Sequence, residues 1–291
     1  MLTAIKDSIR LKKEAVFGNK NPEVYEMSEG YIENTMTIYQ MVSEFHMQFQ
    51  HPIDEQPTSQ LLRLRAKLIQ EEAVEEGIKA VDERNYREVI DAMADFLYVG
   101  IGSMVAIEGG IINAISKFTE ERSVGRFYDT TFIPGNTPLA DMKIPFDEAR
   151  LAVQELNDIA DRLEAGSVAF TSEVAISLRG ALNRIYVACM MTYRLAEFMN
   201  IDIIALVEEV HRSNMSKLWP ADDNVRRQLV AECKYDPADL GFRGAEGRDE
   251  KIGFRISDGK ILKSPTYSPA CLDQFVDMFG ISSIKVAIDK M

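Results

Sequence analysis

LLRLRAKLIQEEAVEEGIKAVDERNYREVIDAMADFLY, residues 61–98, reads as two amphipathic helices joined by a short polar break. On the first, Leu64, Leu68, Glu71, Glu75 and Ile78 recur at steps of four, three, four and three, one face of a helix. On the second, Glu88, Asp91 and Asp95 recur at steps of three and four, ahead of Tyr98. Acids thus stand where core residues belong. Antiparallel pairing of the two helices gathers four or five carboxylates, and such a group repels itself unless a cation sits among them. Asp is a poor residue for a helix interior because its side chain competes for backbone groups, yet Asp91 and Asp95 lie one turn apart in an apolar run. A solvated acidic face is the bland alternative. The acids interrupt a leucine stripe and recur on the next helix, which favours a magnesium site for a polyphosphate.

Working outward, the chain of 291 residues is 46% hydrophobic and 27% charged, an ordinary globular composition for one large domain or two small ones. A net charge of −13 argues against a general nucleic-acid binder, which needs a basic face. Cys189, Cys233 and Cys271 form no CxxC pair, which suits a reducing compartment and offers no zinc motif. The opening residues lack the apolar core of a signal peptide, and no run approaches the roughly 20 apolar residues of a bilayer span. A cytoplasmic protein without a membrane partner is expected.

Upstream of the acidic pair, residues 1–34 read as an arm with no assigned chemistry. TMTIYQMVSEFHMQFQ (35–50) reads as a helix with Ile38, Met41, Val42, Phe45 and Phe49 on its apolar face, ended by His51-Pro52. His46 beside that face is either an ordinary half-buried histidine or a base- or phosphate-contacting group. Downstream, the apolar helix is expected to end at Gly109-Gly110, with a further short helix over 111–122 and a breaker-rich linker reaching 131–146. The first helical unit thus covers 35–130.

Residues 147–220 repeat the plan in weaker form. Tyr186 stands where Tyr98 does, Asn183 replaces Asp95, Arg179 replaces Asp91, and Glu155 and Asp158 keep part of the first acidic pair. We read a tandem repeat whose second copy has lost its full cluster. That copy ends in VHRSNMSKLWP, where His211, Arg212, Asn214 and Lys217 either hold an anion or serve as helix-end cations. In the extension 221–291, Asp258-Gly259 marks a two-stranded hairpin with Lys260 and Lys263 near its turn.

EEAVEE followed by DAMADFLYV resembles the EExxE…D pattern of the all-α nucleoside triphosphate pyrophosphohydrolases, which include MazG-like, phosphoribosyl-ATP pyrophosphohydrolase-like and dimeric dUTPase proteins. YQMVSEFHMQFQHP, VHRSNMSKLWP and DGKILKSPTY resemble further stretches of the phage and bacterial branch, in the same order. The resemblance covers about 35–267. It implies an all-α helical bundle with a small C-terminal β-hairpin. It also implies hydrolysis of a nucleoside triphosphate to monophosphate and pyrophosphate with Mg²⁺ (or Mn²⁺). Glu71, Glu72, Glu75 and Asp95 match the metal ligands. The family's glutamate three residues before the last aspartate is Ala92 here; Asp91 substitutes, and Glu88-x-x-Asp91 is a literal match out of register. Glu71 or Glu72 is implied as the base. Asn214, Lys217, Lys260 and Lys263 are implied on the phosphates or sugar, and His46 and Phe49 on the base. Phosphoribosyl-ATP is the alternative substrate, a non-catalytic nucleotide sensor the alternative of another class. The chain is expected to act as a homodimer or as a self-sufficient pseudo-dimer.

Overall fold

Thr58 opens the acidic helix: its hydroxyl accepts from the Leu61 amide at 3.2 Å, satisfying a donor left free at a helix start. The computed structural model describes residues 29–118, 138–165, 172–257 and 259–277. In chain order, α1 (Glu29–Phe49) precedes α2 (Ser59–Ile69), a π-helical segment (Gln70–Gly77) and α3 (Ile78–Asp82). The chain turns at Arg84, φ 54°, and returns as α4 (Tyr86–Phe118). A second hairpin follows, α5 (Pro138–Glu164) and α6 (Ser172–Phe198). α2 packs on α5 and α4 on α6, so the two hairpins share one apolar core. α1 lies on α4, and α7 (Ile203–Met215) contacts both. After α8 (Asp223–Glu232), β1 (Leu240–Gly244) and β2 (Lys251–Arg255) form the antiparallel ribbon, and α9 (Asp273–Asp277) touches α4. The architecture is all-α with a small C-terminal β-hairpin.

The face that α2 buries differs from the stripe read in the sequence. Leu64 is 44% exposed, whereas Leu62, Ala66, Ile69 and Ala73 are sealed. Both sets have helical spacing; burial selects the one that leads to Gly77, where α5 docks. A Cβ on Gly77 would lie 2.6 Å from the Phe146 ring. α4 also continues past Gly109-Gly110. Gly109 serves close approach rather than termination: its amide donates to Asp54 Oδ1 at 2.9 Å, and a Cβ would collide with that carboxyl. The amides of Asp54 and Glu55 donate to the Val105 and Ala106 carbonyls, pinning the 51–57 loop on α4.

The linker over 131–146 is shorter than expected, because α5 begins at Pro138 and buries Met142 and Phe146. Residues 131–137, and the arm up to residue 28, lie outside the described residues. The ribbon lies one strand earlier than the Asp258-Gly259 signal: β1 pairs with β2. Asp258 itself is outside the described residues. Gly259, φ 74°, does fold the chain back, but only as far as an isolated Phe254–Ile261 bridge. Beyond it the Trp219 indole N–H donates to the Leu262 carbonyl at 3.1 Å and draws the chain onto the ribbon's other side. Two windows, Tyr86–Gly109 and Glu173–Glu197, match a bilayer span in length and composition, contrary to the sequence reading; 83% of the first is buried inside the fold.

Candidate active site

The acids of the first hairpin meet where the helix widens. Over Gln70–Gly77 the backbone is π-helical, so the α-helical steps of three that joined Glu71 to Leu68 and Glu75 to Ile78 no longer apply. Glu72 is the acid this turn buries among the others. Burial, then Glu76, Glu71 and Asp91, push its carboxyl up to about 7, with Lys217 opposing. On α4, burial first and Glu72 and Asp91 next raise Asp95 well above the usual carboxylate range, again against Lys217. Asp91 is raised by burial and Glu88, and Glu76 by burial and Asp91. Glu71 is half-buried and pairs with Lys67 at 3.6 Å. Glu75 is exposed and accepts from Gln70 Nε2 at 3.2 Å. Glu76, absent from the expected ligand set, is exposed like Glu75, but its charge interacts with Asp91 and Asp95 of α4. Of the two alternatives for the fourth position, Glu88 is exposed and bound by Arg87 Nη1 at 3.0 Å, and Asp91 is half-buried toward the acids.

Lys217 comes to this group from the end of α7, more than a hundred residues downstream. Burial and Lys263 lower its ammonium to about 8, while Asp95 and Glu72 pull it back up. Its Nζ donates to Asn214 Oδ1 at 2.6 Å and lies 5.7 Å from the centre of the Phe45 ring. Asn214 in turn bonds the Tyr98 hydroxyl. Lys263 is exposed, its Nζ 4.2 Å over the Tyr267 ring, and adds positive field at Lys217. Lys260 is exposed at the turn, where its carbonyl accepts from the Arg255 amide.

His46 and Phe49 are not pocket walls. His46 is 3% exposed, and its Nδ1 donates to the Pro52 carbonyl at 2.7 Å, which holds the turn that ends α1. Burial, helped by Arg65, lowers it to about 3, so it stays neutral. Phe49 is fully buried with Leu218, Ala245 and Ile252, the seam between α1 and the ribbon. Both residues lie along an amphipathic edge of α1; the C-terminal ribbon covers Phe49, and α4 passes His46 closely at Gly102. The rings left at the site are Phe45, stacked on His51 at 5.4 Å, and Tyr98, edge-on to Phe45 at 5.5 Å. Phe45 was legible only as one more residue of the apolar stripe.

In the second hairpin the retained acid is already neutralised. Arg184 donates to Glu155 and to Glu148, both at 2.9 Å, and Asp158 is exposed. Among the described residues no three His, Cys, Asp or Glu side chains are drawn close enough to hold a metal on their own.

Comparison with known proteins finds a family match over the same part of the chain. The family model described as Phosphoribosyl-ATP pyrophosphohydrolase matches residues 42–108, the span from α1 through the acidic hairpin. An uncharacterized protein of Acanthamoeba polyphaga mimivirus is 28% identical over 265 residues, covering 83% of this chain and 95% of that protein. No solved structure matches the chain significantly. The family match supports a pyrophosphohydrolase acting on nucleotides. Residues 42–108 thus match a family model of the MazG-like all-α nucleoside triphosphate pyrophosphohydrolase superfamily.

Proposed function

We propose that the chain hydrolyses a ribo- or deoxyribonucleoside triphosphate to the monophosphate and pyrophosphate, with magnesium, or manganese in its place. One observation carries this reading: half-buried carboxylates, Glu72 and Asp95, lie within electrostatic reach of a half-buried ammonium, Lys217. The acids supply only oxygen donors and carry excess negative charge, as their raised pKa values report, which fits a hard divalent cation. Magnesium keeps several waters and is commonly held by one or two carboxylates plus substrate phosphates, so a complete cage of side chains is not required. Asp91, Asp95, Glu72 and Glu76 would hold it, with Glu71 and Glu75 at the rim. Bound there, the ion would neutralise the triphosphate. The chain's own groups do the rest. Glu72, near neutrality, accepts the proton of the attacking water. Lys217 holds phosphate charge, with Lys263 behind it. Phe45 offers a face for the base.

A second reading, phosphoribosyl-ATP as substrate, is favoured by the description of the matching family model. Pyrophosphate release, measured with and without Mg²⁺ over a panel of nucleoside triphosphates and phosphoribosyl-ATP, separates the two. We expect Mg²⁺-dependent turnover and a loss of about 100-fold or more in Glu72→Gln and Asp95→Asn. Binding without turnover by the wild type would replace the enzyme by a nucleotide sensor, and intact rates in both variants would remove the acids from the reaction.

A further inference from the structure

Lys217 is the end of a chain of polar contacts that runs out to the ribbon. Its Nζ donates to Asn214 Oδ1 at 2.6 Å, and the Asn214 side chain in turn acts on the Tyr98 hydroxyl, opposing the rise that burial causes there. The Tyr98 hydroxyl lies 3.0 Å from His211 Nδ1, and His211 Nε2 lies 3.5 Å from Glu44 Oε2. Glu44 Oε1 accepts from Arg248 Nη2 at 3.0 Å. With His211 neutral, Tyr98 directs its proton to His211 Nδ1, and His211 carries its proton on Nε2 toward Glu44. Burial holds His211 below its ordinary value, in keeping with this neutral tautomer. The chain crosses four elements: the α1 surface (Glu44), α4 (Tyr98), α7 (His211, Asn214) and the ribbon's β1–β2 turn (Arg248). Linked polar contacts reinforce one another, so a break at one link loosens the next.

We propose that Tyr98, His211 and Glu44 are positioning residues, which act through Asn214 to set where the Lys217 ammonium meets the substrate phosphates. This rests on the pyrophosphohydrolase reading above. Tyr98 stands one turn after Asp95 on α4, so the same helix carries both a carboxylate and the anchor of the opposing cation. Their separation is thereby fixed by helix geometry rather than by the loop that follows α7. The ribbon's turn, through Arg248 and Glu44, steadies the outer end.

The test uses the full chain and the best triphosphate of the substrate panel. Tyr98→Phe removes one hydroxyl and no packing. We expect its KM to rise about tenfold with kcat within about threefold, the signature of a lost bond to a charge-holding group. His211→Leu should match it. His211→Asn keeps an acceptor at the Nδ1 position and should restore KM to within about threefold of wild type. Thermal melts of the three variants show whether each is folded, and Tyr98→Phe and His211→Asn remain informative if His211→Leu is not. Wild-type turnover with unchanged KM in both Tyr98→Phe and His211→Leu would overturn the positioning role alone. Equal KM in the Asn and Leu variants would do so as well, by reducing His211 to packing. No wild-type turnover would instead overturn the underlying reading.

Discussion

Glu72 sits one residue after the acid that α-helical spacing selects, and that offset changes what its carboxylate does. Its ordinary value is 4.5 and burial among acids lifts it to about 7. The folded protein therefore holds this proton more tightly than the unfolded chain. The associated stability is full below 4.5 and is lost as pH rises through about 7. His46 and His51 act in the opposite direction. Their folded values, about 3 and about 4, lie below 6.5, so their contribution is full above 6.5 and falls as pH drops toward those values. The windows overlap, so the Glu72 part is isolated by difference. Without divalent cation, the melting temperature of Glu72→Gln minus that of wild type should rise between about pH 5 and pH 8, by on the order of 5 °C. A difference that stays flat with pH would mean that Glu72 is not buried among the acids.

At the scale of elements, the π-helical segment is the feature that no periodicity displays. A π turn inserts into an α-helix without changing residue types, and it decides which acids of QEEAVEEG turn inward. Gly77 closes that segment because Phe146 fills the space of its missing side chain. Gly77→Ala should destabilise by about 1–3 kcal/mol through overpacking. In a double-mutant cycle, Phe146→Leu should recover part of that loss, read by denaturant unfolding. Strict additivity of the two would show that the glycine is there for another reason. The other misplaced boundaries have similar causes. Gly109-Gly110 looked like a helix end and is a docking point for Asp54. The Asp258-Gly259 signal marks a real reversal, but the longer ladder belongs to β1 and β2.

At the scale of the molecule, the ribbon is tied to the site through a core of its own. Trp219 is fully buried, and its cluster with Leu240 and Leu262 is separate from the bundle core. Trp219 follows Lys217 by two residues, and the Lys217 carbonyl accepts from the Ser264 amide at 3.2 Å. Trp219→Ala should cost about 3–5 kcal/mol, confined to this cluster. The expected outcome is an enzyme that keeps its helical circular dichroism and loses at least tenfold in kcat/KM, because Lys217 is no longer seated. Full activity in a folded Trp219→Ala protein would show that the ribbon does not position the lysine.

The amino-acid order alone determined the helical class, the acidic hairpin and the downstream SNMSK segment, because amphipathic periodicity and mid-helix acids are local properties of the chain. Tertiary structure decided which acids count. The π segment and the docking of Phe146 set Glu72 and Glu76 within charge range of Asp91 on α4. The ribbon buried Phe49, close approach to Gly102 of α4 buried His46, and Phe45 was left beside Lys217. The second copy's Glu155 found Arg184, a pairing 29 residues apart that no local pattern announces. The acidic stretch at 61–98 thus names the chemistry through residue type. The contacts made by α5, α7 and the ribbon assign it to particular side chains, because burial and charge proximity are set by chain segments distant in sequence.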